Sequence, residues 1–194
     1  MEVDPARIQT FAQASDFGRW LAVHHAQTTE VWVRIYKKGA GTTSVNWSEA
    51  VIEALAWGWI DGLKKRGDDR SWLQRFTPRR PKSPWSQINC AHAEYLIAEG
   101  RMQAPGLAAV LAAKADGRWD VAYAGSAAMV LPDAVLAPIA ADVAAQAAFD
   151  RLPRSTIFTF YQRLTSLKRE ESRRTLIDTF VSSLKACDEE PFGG

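Results

Sequence analysis

The alternation of hydrophobic and polar residues predicts a small group of strands in the first half of the chain. In the segment EVWVRIYK, Val31, Val33 and Ile35 alternate with polar or aromatic neighbours, as in a strand with one buried face. Two later runs of strand character are separated by the turn-forming sequence GDDR and therefore predict a β-hairpin. The predicted strands span residues 30–37, 59–66 and 71–77.

Helical spacing of apolar residues predicts the remaining elements. Ser15 or Asp16 is the expected N-cap of the first helix. The sequence NWSE is typical of a capping box, in which the Asn46 side chain accepts from the amide of Glu49, and Gly58 is placed to end that helix. The predicted helices cover residues 16–26, 47–57, 86–100, 104–115, one or two within 133–151, and two around 157–167 and 176–184.

This order of elements predicts an α+β fold. A small antiparallel β-sheet with packed helices forms the N-terminal part, and a helical C-terminal part follows. We expect an α+β domain over residues 1–120 and a helical region over residues 121–194.

Composition narrows the class of protein further. The 194 residues are 47% hydrophobic and 24% charged, which fits a globular chain long enough to bury a core. Without a secretory signal or an apolar run of membrane-spanning length, the sequence predicts a cytoplasmic protein with no membrane span. The two cysteines, Cys90 and Cys187, form no CxxC motif and are expected to be reduced.

Charge is concentrated in one window of the chain. Residues 61–86 contain eight basic and three acidic residues, a net charge of +5, whereas the remainder carries −3. A local basic region on a slightly acidic chain indicates either an anionic partner or a solvated surface with no specific partner.

Tryptophan is the other unusual feature: seven of the eight fall between residues 20 and 85. Trp59 and Trp85 lie in the motifs GWID and SPWS, close in sequence to a pair of arginines whose planar guanidinium groups suit carboxylate or phosphate. We therefore expect a site for a small anionic ligand or an acidic protein segment. Its predicted members are Trp59 and Trp85 as walls, Lys65, Arg79 and Arg80 as cations, and Asp61, Ser83, Ser86 and Asn89 as positioning groups.

Each of these residues also has a simpler interpretation. Trp59 and Trp85 are also suited to fill the core, Asp61 to form an ion pair with an arginine, and Ser83 or Ser86 to cap a helix. Asp61, Trp59 and Leu63 are predicted to share one face of their strand.

Two alternative functions remain open. Asp61 is a candidate acid or base of an uncharacterised enzyme. The basic run at residues 64–66, with Trp72 and Phe76, is a weak signal for single-stranded nucleic acid, and a charged hairpin edge that prevents edge pairing explains it better.

No motif names a reaction, a cofactor or a metal. His24 and His25 are adjacent, and Cys90 and His92 lie two residues apart on a predicted helix, which is poor ligand spacing. The chain lacks a P-loop, a GxGxxG motif and a GxSxG motif.

Several motifs together resemble the YdeI/OmpD-associated (bacteriocin-protection) family. The resemblance covers about residues 15–120 and includes GWID at residues 58–61 and the pattern TPRRxxSxWSxxN at residues 77–89. Further matching residues are Glu49, Ala50, Ala54, Leu55, Leu96, Gly100, Arg101, Met102, Gly106 and Leu107. Near the C-terminus, Lys168, Glu171 and Arg173 are similar to the family segment AKxxETR, in which Leu167 and Ser172 replace Ala and Thr.

The resemblance implies an α+β N-terminal domain, a helical C-terminal part and a role in resistance to bacteriocins or cationic antimicrobial peptides. It implies neither a reaction nor a ligand. The expected function is accordingly that of a non-enzymatic stress or resistance protein that binds an anionic ligand.

Overall fold

A computed structural model describes residues 3–186. The chain divides into two compact units, the first ending at Asp120 and the second beginning at Val121. An N-terminal unit with sheet and helices and a mostly helical C-terminal unit confirm the α+β prediction. Within the first unit Cys90 is a buried free thiol, whose pKa burial raises to about 11. Cys187 lies outside the described residues.

The first unit is built on a four-stranded sheet. Its strands are β1 (Ile8–Gln9), β2 (Val31–Tyr36), β3 (Trp59–Arg66) and β4 (Ser71–Pro78), in the spatial order β1-β2-β4-β3. The three long strands are antiparallel, as predicted, and β1 pairs in parallel with β2. A two-residue strand has no alternation to read, so β1 was not predicted.

The long strands divide their side chains between two faces. Val31, Val33 and Ile35 are buried on the inner face, where they form a core with side chains of α1 (Ala14–His24) and α2 (Trp47–Ala56). Phe17 and Leu21 of α1 and Ala50, Val51 and Ala54 of α2 complete this side of the core, together with Phe76 of β4. The opposite, outer face carries Trp32 and Arg34.

Local signals set the helix ends of this unit. In the predicted capping box, the Asn46 Oδ1 accepts from the Glu49 amide at 3.0 Å, and the Glu49 carboxylate accepts from the Asn46 amide at 3.1 Å. Gly58 has φ +73° directly after α2, as expected of a helix-ending glycine. The predicted helix α1 is present, but its predicted N-cap was wrong: Gln13 is the N-cap, and Asp16 in the first turn pairs with Arg19. The other helices of the unit are α3 (Gln87–Ala98) and α4 (Ala104–Ala115).

The first hairpin strand departs from regular alternation. The pairing register between β3 and β4 shifts between Asp61 and Lys64. The buried Gln74 amide donates to the Gly62 carbonyl at 3.0 Å within this irregular part of the ladder. After this shift Lys64 and not Leu63 follows Asp61 on the inner face, and Leu63 is 60% exposed, so the prediction that Leu63 shares a face with Trp59 and Asp61 was wrong.

As far as Ala186, the second unit contains four α-helices around a core of its own. They are α5 (Asp133–Ala140), α6 (Val143–Arg151), α7 (Arg154–Ser166) and α8 (Glu170–Ala186). Residues 133–151 thus form two helices, and the Asp142 carboxylate, which accepts from the amides of Ala144 and Ala145 at 3.0 Å each, begins the second. The core includes Ile139, Leu164 and Phe180.

No helix among residues 3–186 combines the length and the apolar character needed to cross a bilayer.

The end of α2 and the start of α4 approach too closely for a side chain between them. A Cβ on Gly106 would lie 2.3 Å from the Ala56 carbonyl oxygen and 2.5 Å from the Met102 sulfur. We expect Gly106→Ala to lower the free energy of unfolding by about 1–3 kcal/mol in urea denaturation, because backbone must move to admit the methyl group. Gly62→Ala is the matched control, since its Cβ would meet only the Arg75 carbonyl at 3.9 Å. Equal effects of the two substitutions would contradict this explanation.

Candidate functional site

Trp59 lies in the core of the first unit. It is 1% exposed, and its ring meets the Trp20 ring edge-on with centroids 6.2 Å apart. The inner face of the sheet surrounds it. Of the two interpretations of Trp59, the structure therefore supports packing.

Trp85 stacks against Arg79, one of the cations of the predicted site. The Arg79 guanidinium lies 3.9 Å from the centre of the Trp85 ring, and its Nη1 donates to the Pro84 carbonyl at 3.0 Å. The Arg79 Nε and Nη2 atoms are buried, and Trp119 packs against Trp85 with ring centroids 5.0 Å apart. Arg79 thus fastens the segment after β4 to an aromatic cluster.

The polar residues around this stack stabilise turns. The Ser83 hydroxyl accepts from the Arg80 amide at 3.1 Å, and the Ser86 hydroxyl accepts from the Asn89 amide at 3.1 Å. Ser86 is accordingly the N-cap of α3. Arg80 itself is exposed.

Asp61 is a half-buried carboxylate on the inner face, at the edge of the core. Its Oδ2 accepts from the indole N–H of Trp47 at 3.2 Å. Burial raises the pKa of Asp61, and the Trp47 hydrogen bond and the Arg79 charge only partly oppose this shift. The site thus contains a carboxyl group that holds its proton more strongly than an exposed aspartate does.

The predicted residues therefore fall into separate places. Arg79 and Trp85 are in contact, and the Arg79 charge acts on Asp61. Lys65 pairs with Leu73 on the outer face, whereas Asp61 pairs with Phe76 on the inner face. Lys65 and Asp61 therefore lie on opposite faces of the sheet and do not form one site.

The outer face contains an open cavity of about 660 Å³. Arg34 of β2 and Lys65 of β3 flank Leu73 of β4 in one cross-strand row. In the next row Ile8 pairs with Trp32, which lies under the Lys65 ammonium at 5.4 Å. The lining residues are Val3, Pro5, Ile8, Arg34, Lys65, Arg66, Gly67, Asp68 and Leu73.

Two carboxylates pair with cations of the cavity lining: Asp68, which is itself part of the lining, and the neighbouring Asp69. Arg34 donates to the Ser71 hydroxyl at 3.0 Å and reaches Asp68 at 3.4 Å. Arg66 pairs with Asp69 at 2.7 Å, where the two side chains are 83% and 90% exposed. Hydrogen bonds from the Ser71 hydroxyl and the Arg70 amide hold the pKa of Asp68 below its ordinary value. Exposed pairs contribute little free energy, so an incoming anion can compete with these carboxylates.

Sequence reasoning did not find Arg34 or the apolar part of the cavity. The alternation in β2 placed Arg34 opposite the core, which was the available signal. Its position beside Lys65 depends on β4 lying between β2 and β3, which the order of elements does not specify.

Among residues 3–186, no group of three or more His, Cys, Asp or Glu side chains is placed to hold a metal ion.

The fold and the cavity together define an α+β protein with a basic pocket on its sheet, followed by a helical unit. The chain belongs to the family described as Domain of unknown function (DUF8412), whose model matches residues 9–109, just over half of the sequence. Residues 128–186 match the family described as Bacteriocin-protection, YdeI or OmpD-Associated, which confirms the predicted relationship. This match lies in the C-terminal unit, whereas most of the motifs that suggested it lie before residue 110.

No curated protein and no solved structure gives a significant match to the chain.

The raised pKa of Asp61 has a measurable effect on stability. Because the folded protein holds this proton more tightly than the unfolded chain, the Asp61 contribution to the free energy of unfolding falls as pH rises through the range where Asp61 ionises. Asp61→Asn keeps an acceptor for Trp47 and removes the buried charge. We expect the variant to exceed the wild type in stability at about pH 7, and the difference to shrink below about pH 4.

Urea denaturation across this pH range measures the effect, with the exposed Asp120→Asn as the control for loss of one negative charge. A variant less stable than the wild type at neutral pH, or a difference independent of pH, would contradict the assignment.

Proposed function

We propose that this chain is a binding protein with a stress or resistance role against bacteriocins or cationic antimicrobial peptides. Its ligand is a small anion or an acidic segment of a partner, bound in the outer-face cavity. The match of residues 128–186 to a bacteriocin-protection family supports the role.

The single observation that supports the ligand class is the cavity lined by Arg34, Lys65 and Arg66. Three cations and one carboxylate line this space, and the carboxylate, Asp68, lies 3.4 Å from Arg34. Arg34 and Lys65 stand in one cross-strand row of the sheet, on either side of Leu73, so the sheet holds them at a fixed spacing instead of leaving them on a loop. Such an arrangement favours a multivalent anion.

A second position for the same anion is the segment around Trp85. The Trp85 indole N–H is buried and has no hydrogen-bond partner within residues 3–186, which favours an acceptor there. Arg80 and Lys82 supply exposed positive charge beside it.

A second candidate function is acid–base chemistry by Asp61. The observation in its favour is the raised pKa of a carboxyl group oriented by Trp47. A search for turnover of ester and glycoside substrates that Asp61→Asn abolishes would test it, and equal turnover by the variant would refute it.

Pyrophosphate binding measured by titration calorimetry distinguishes the outer-face cavity from the segment around Trp85. We expect Lys65→Gln with Arg66→Gln to weaken binding about fivefold or more, because each removes one attraction at the cavity. Arg80→Gln with Lys82→Gln removes the same charge elsewhere and is expected to leave the affinity nearly unchanged. Asp68→Asn is expected to strengthen binding, since it removes a repulsive charge and keeps the oxygen that accepts from the Arg70 amide.

Loss of pyrophosphate binding in the Arg80 and Lys82 variant, or in Trp85→Phe, would show that the anion binds at the segment around Trp85 and not in the outer-face cavity. No measurable pyrophosphate binding at about 50 mM salt would refute the anion proposal as a whole.

The resistance role predicts a cellular effect. We expect cells that lack this chain to become more sensitive to a cationic antimicrobial peptide, and the wild-type chain to restore survival. The Lys65 and Arg66 double variant is expected to restore less, because its binding site is weakened, whereas the Arg80 and Lys82 variant restores fully. Equal sensitivity with and without the chain would contradict the role, with protein amounts compared by immunoblot.

A further inference from the structure

We infer that the outer-face cavity takes an amphiphilic anion: a phosphate or carboxylate head joined to a hydrocarbon chain or ring. This assignment rests on the proposed anion site and specifies its ligand class. The cavity has a basic part and an apolar part. The apolar side chains contribute nothing to the binding of an inorganic anion, so they indicate a ligand that also has a hydrocarbon group.

The apolar lining residues come from three parts of the chain. Val3 and Pro5 come from the N-terminal segment, Ile8 from β1 and Leu73 from the centre of the sheet. Trp32, paired with Ile8, is 5% exposed and underlies this row. A hydrocarbon group placed against these side chains leaves water, and each buried methylene favours binding.

The basic part lies beside the apolar part. Arg34 and Lys65 stand on either side of Leu73, and Arg66 follows Lys65 toward the hairpin turn. An anionic head held by these cations therefore leaves its chain next to Leu73 and Ile8. The volume of about 660 Å³ lies within the range of small-molecule sites.

The N-terminal segment is fastened in this position by one shared carboxylate. Glu30 accepts from Arg7 Nη1 at 2.7 Å and from Arg75 Nε at 2.6 Å. Partial burial acts to raise the pKa of Glu30, but the hydrogen bonds and charges of Arg7 and Arg75 outweigh it and the pKa lies below its ordinary value. Glu30 thus stays ionised at neutral pH and joins the segment that carries the apolar wall to β4.

Two probes with the same head separate the parts of the cavity: inorganic phosphate and octyl phosphate below its critical micelle concentration. We expect octyl phosphate to bind about tenfold or more tightly, because burial of only two methylene groups gives about that factor. Octyl glucoside, which has the chain without the charge, is expected to bind far more weakly than octyl phosphate.

Variants of each part complete the test. Ile8→Ser is expected to weaken the binding of octyl phosphate and to leave the binding of inorganic phosphate unchanged. If Ile8→Ser does not fold, Val3→Ser near the chain end serves as the second variant with the same expected result. Lys65→Gln is expected to weaken both probes. Thr77→Ser, a substitution on the same face outside the cavity lining, is the control.

Equal affinity for the two phosphates, or octyl phosphate binding insensitive to Ile8→Ser and Val3→Ser, would overturn the inference and leave the anion proposal standing. Failure of both phosphates to bind would refute the anion proposal itself.

The amphiphilic anion is either a freely dissolved molecule or a lipid in a membrane. Co-sedimentation with vesicles of phosphatidylglycerol that octyl phosphate displaces would identify the lipid. Octyl phosphate binding without co-sedimentation would identify a free amphiphile, and either result supports the assignment.

Discussion

The side-chain alternation of β2 is the constraint on which the first unit depends. It sends Val31, Val33 and Ile35 into the core with α1 and α2, and it sends Trp32 and Arg34 to the other face. Because β4 lies between β2 and β3, the outward side chains of three strands meet in rows. A core on one face and a basic, partly apolar cavity on the other are thus two results of one pattern.

The residues that looked most functional in the sequence have mainly structural contacts. Trp59 fills the core, and the Arg79 guanidinium lies over the Trp85 ring and is largely buried. Aromatic rings and arginines at close spacing fit both a ligand site and a cation–π stack, so spacing alone leaves the choice open. What separates the two is burial, which only the folded chain provides.

Signals that act within a few residues were readable from the sequence. The capping box at Asn46, the glycine that ends α2 and the hairpin turn at residues 67–70 all form as their local chemistry requires. Features that depend on distant residues were not readable: the irregular pairing after Asp61 needs Gln74, and the cavity needs β1 beside β2. Of the predicted site residues, only Lys65 lines the outer-face cavity, and most of the others lie on the inner face or in the turn after β4.

The most direct test of the outer-face cavity is a nuclear magnetic resonance titration of isotope-labelled protein with inorganic phosphate, read at every assigned backbone amide. We expect the largest shifts at Arg34, Lys65 and Leu73, which share one outer row of the sheet, and at the neighbouring Arg66. Largest shifts across residues 79–89, with the outer rows unmoved, would contradict it.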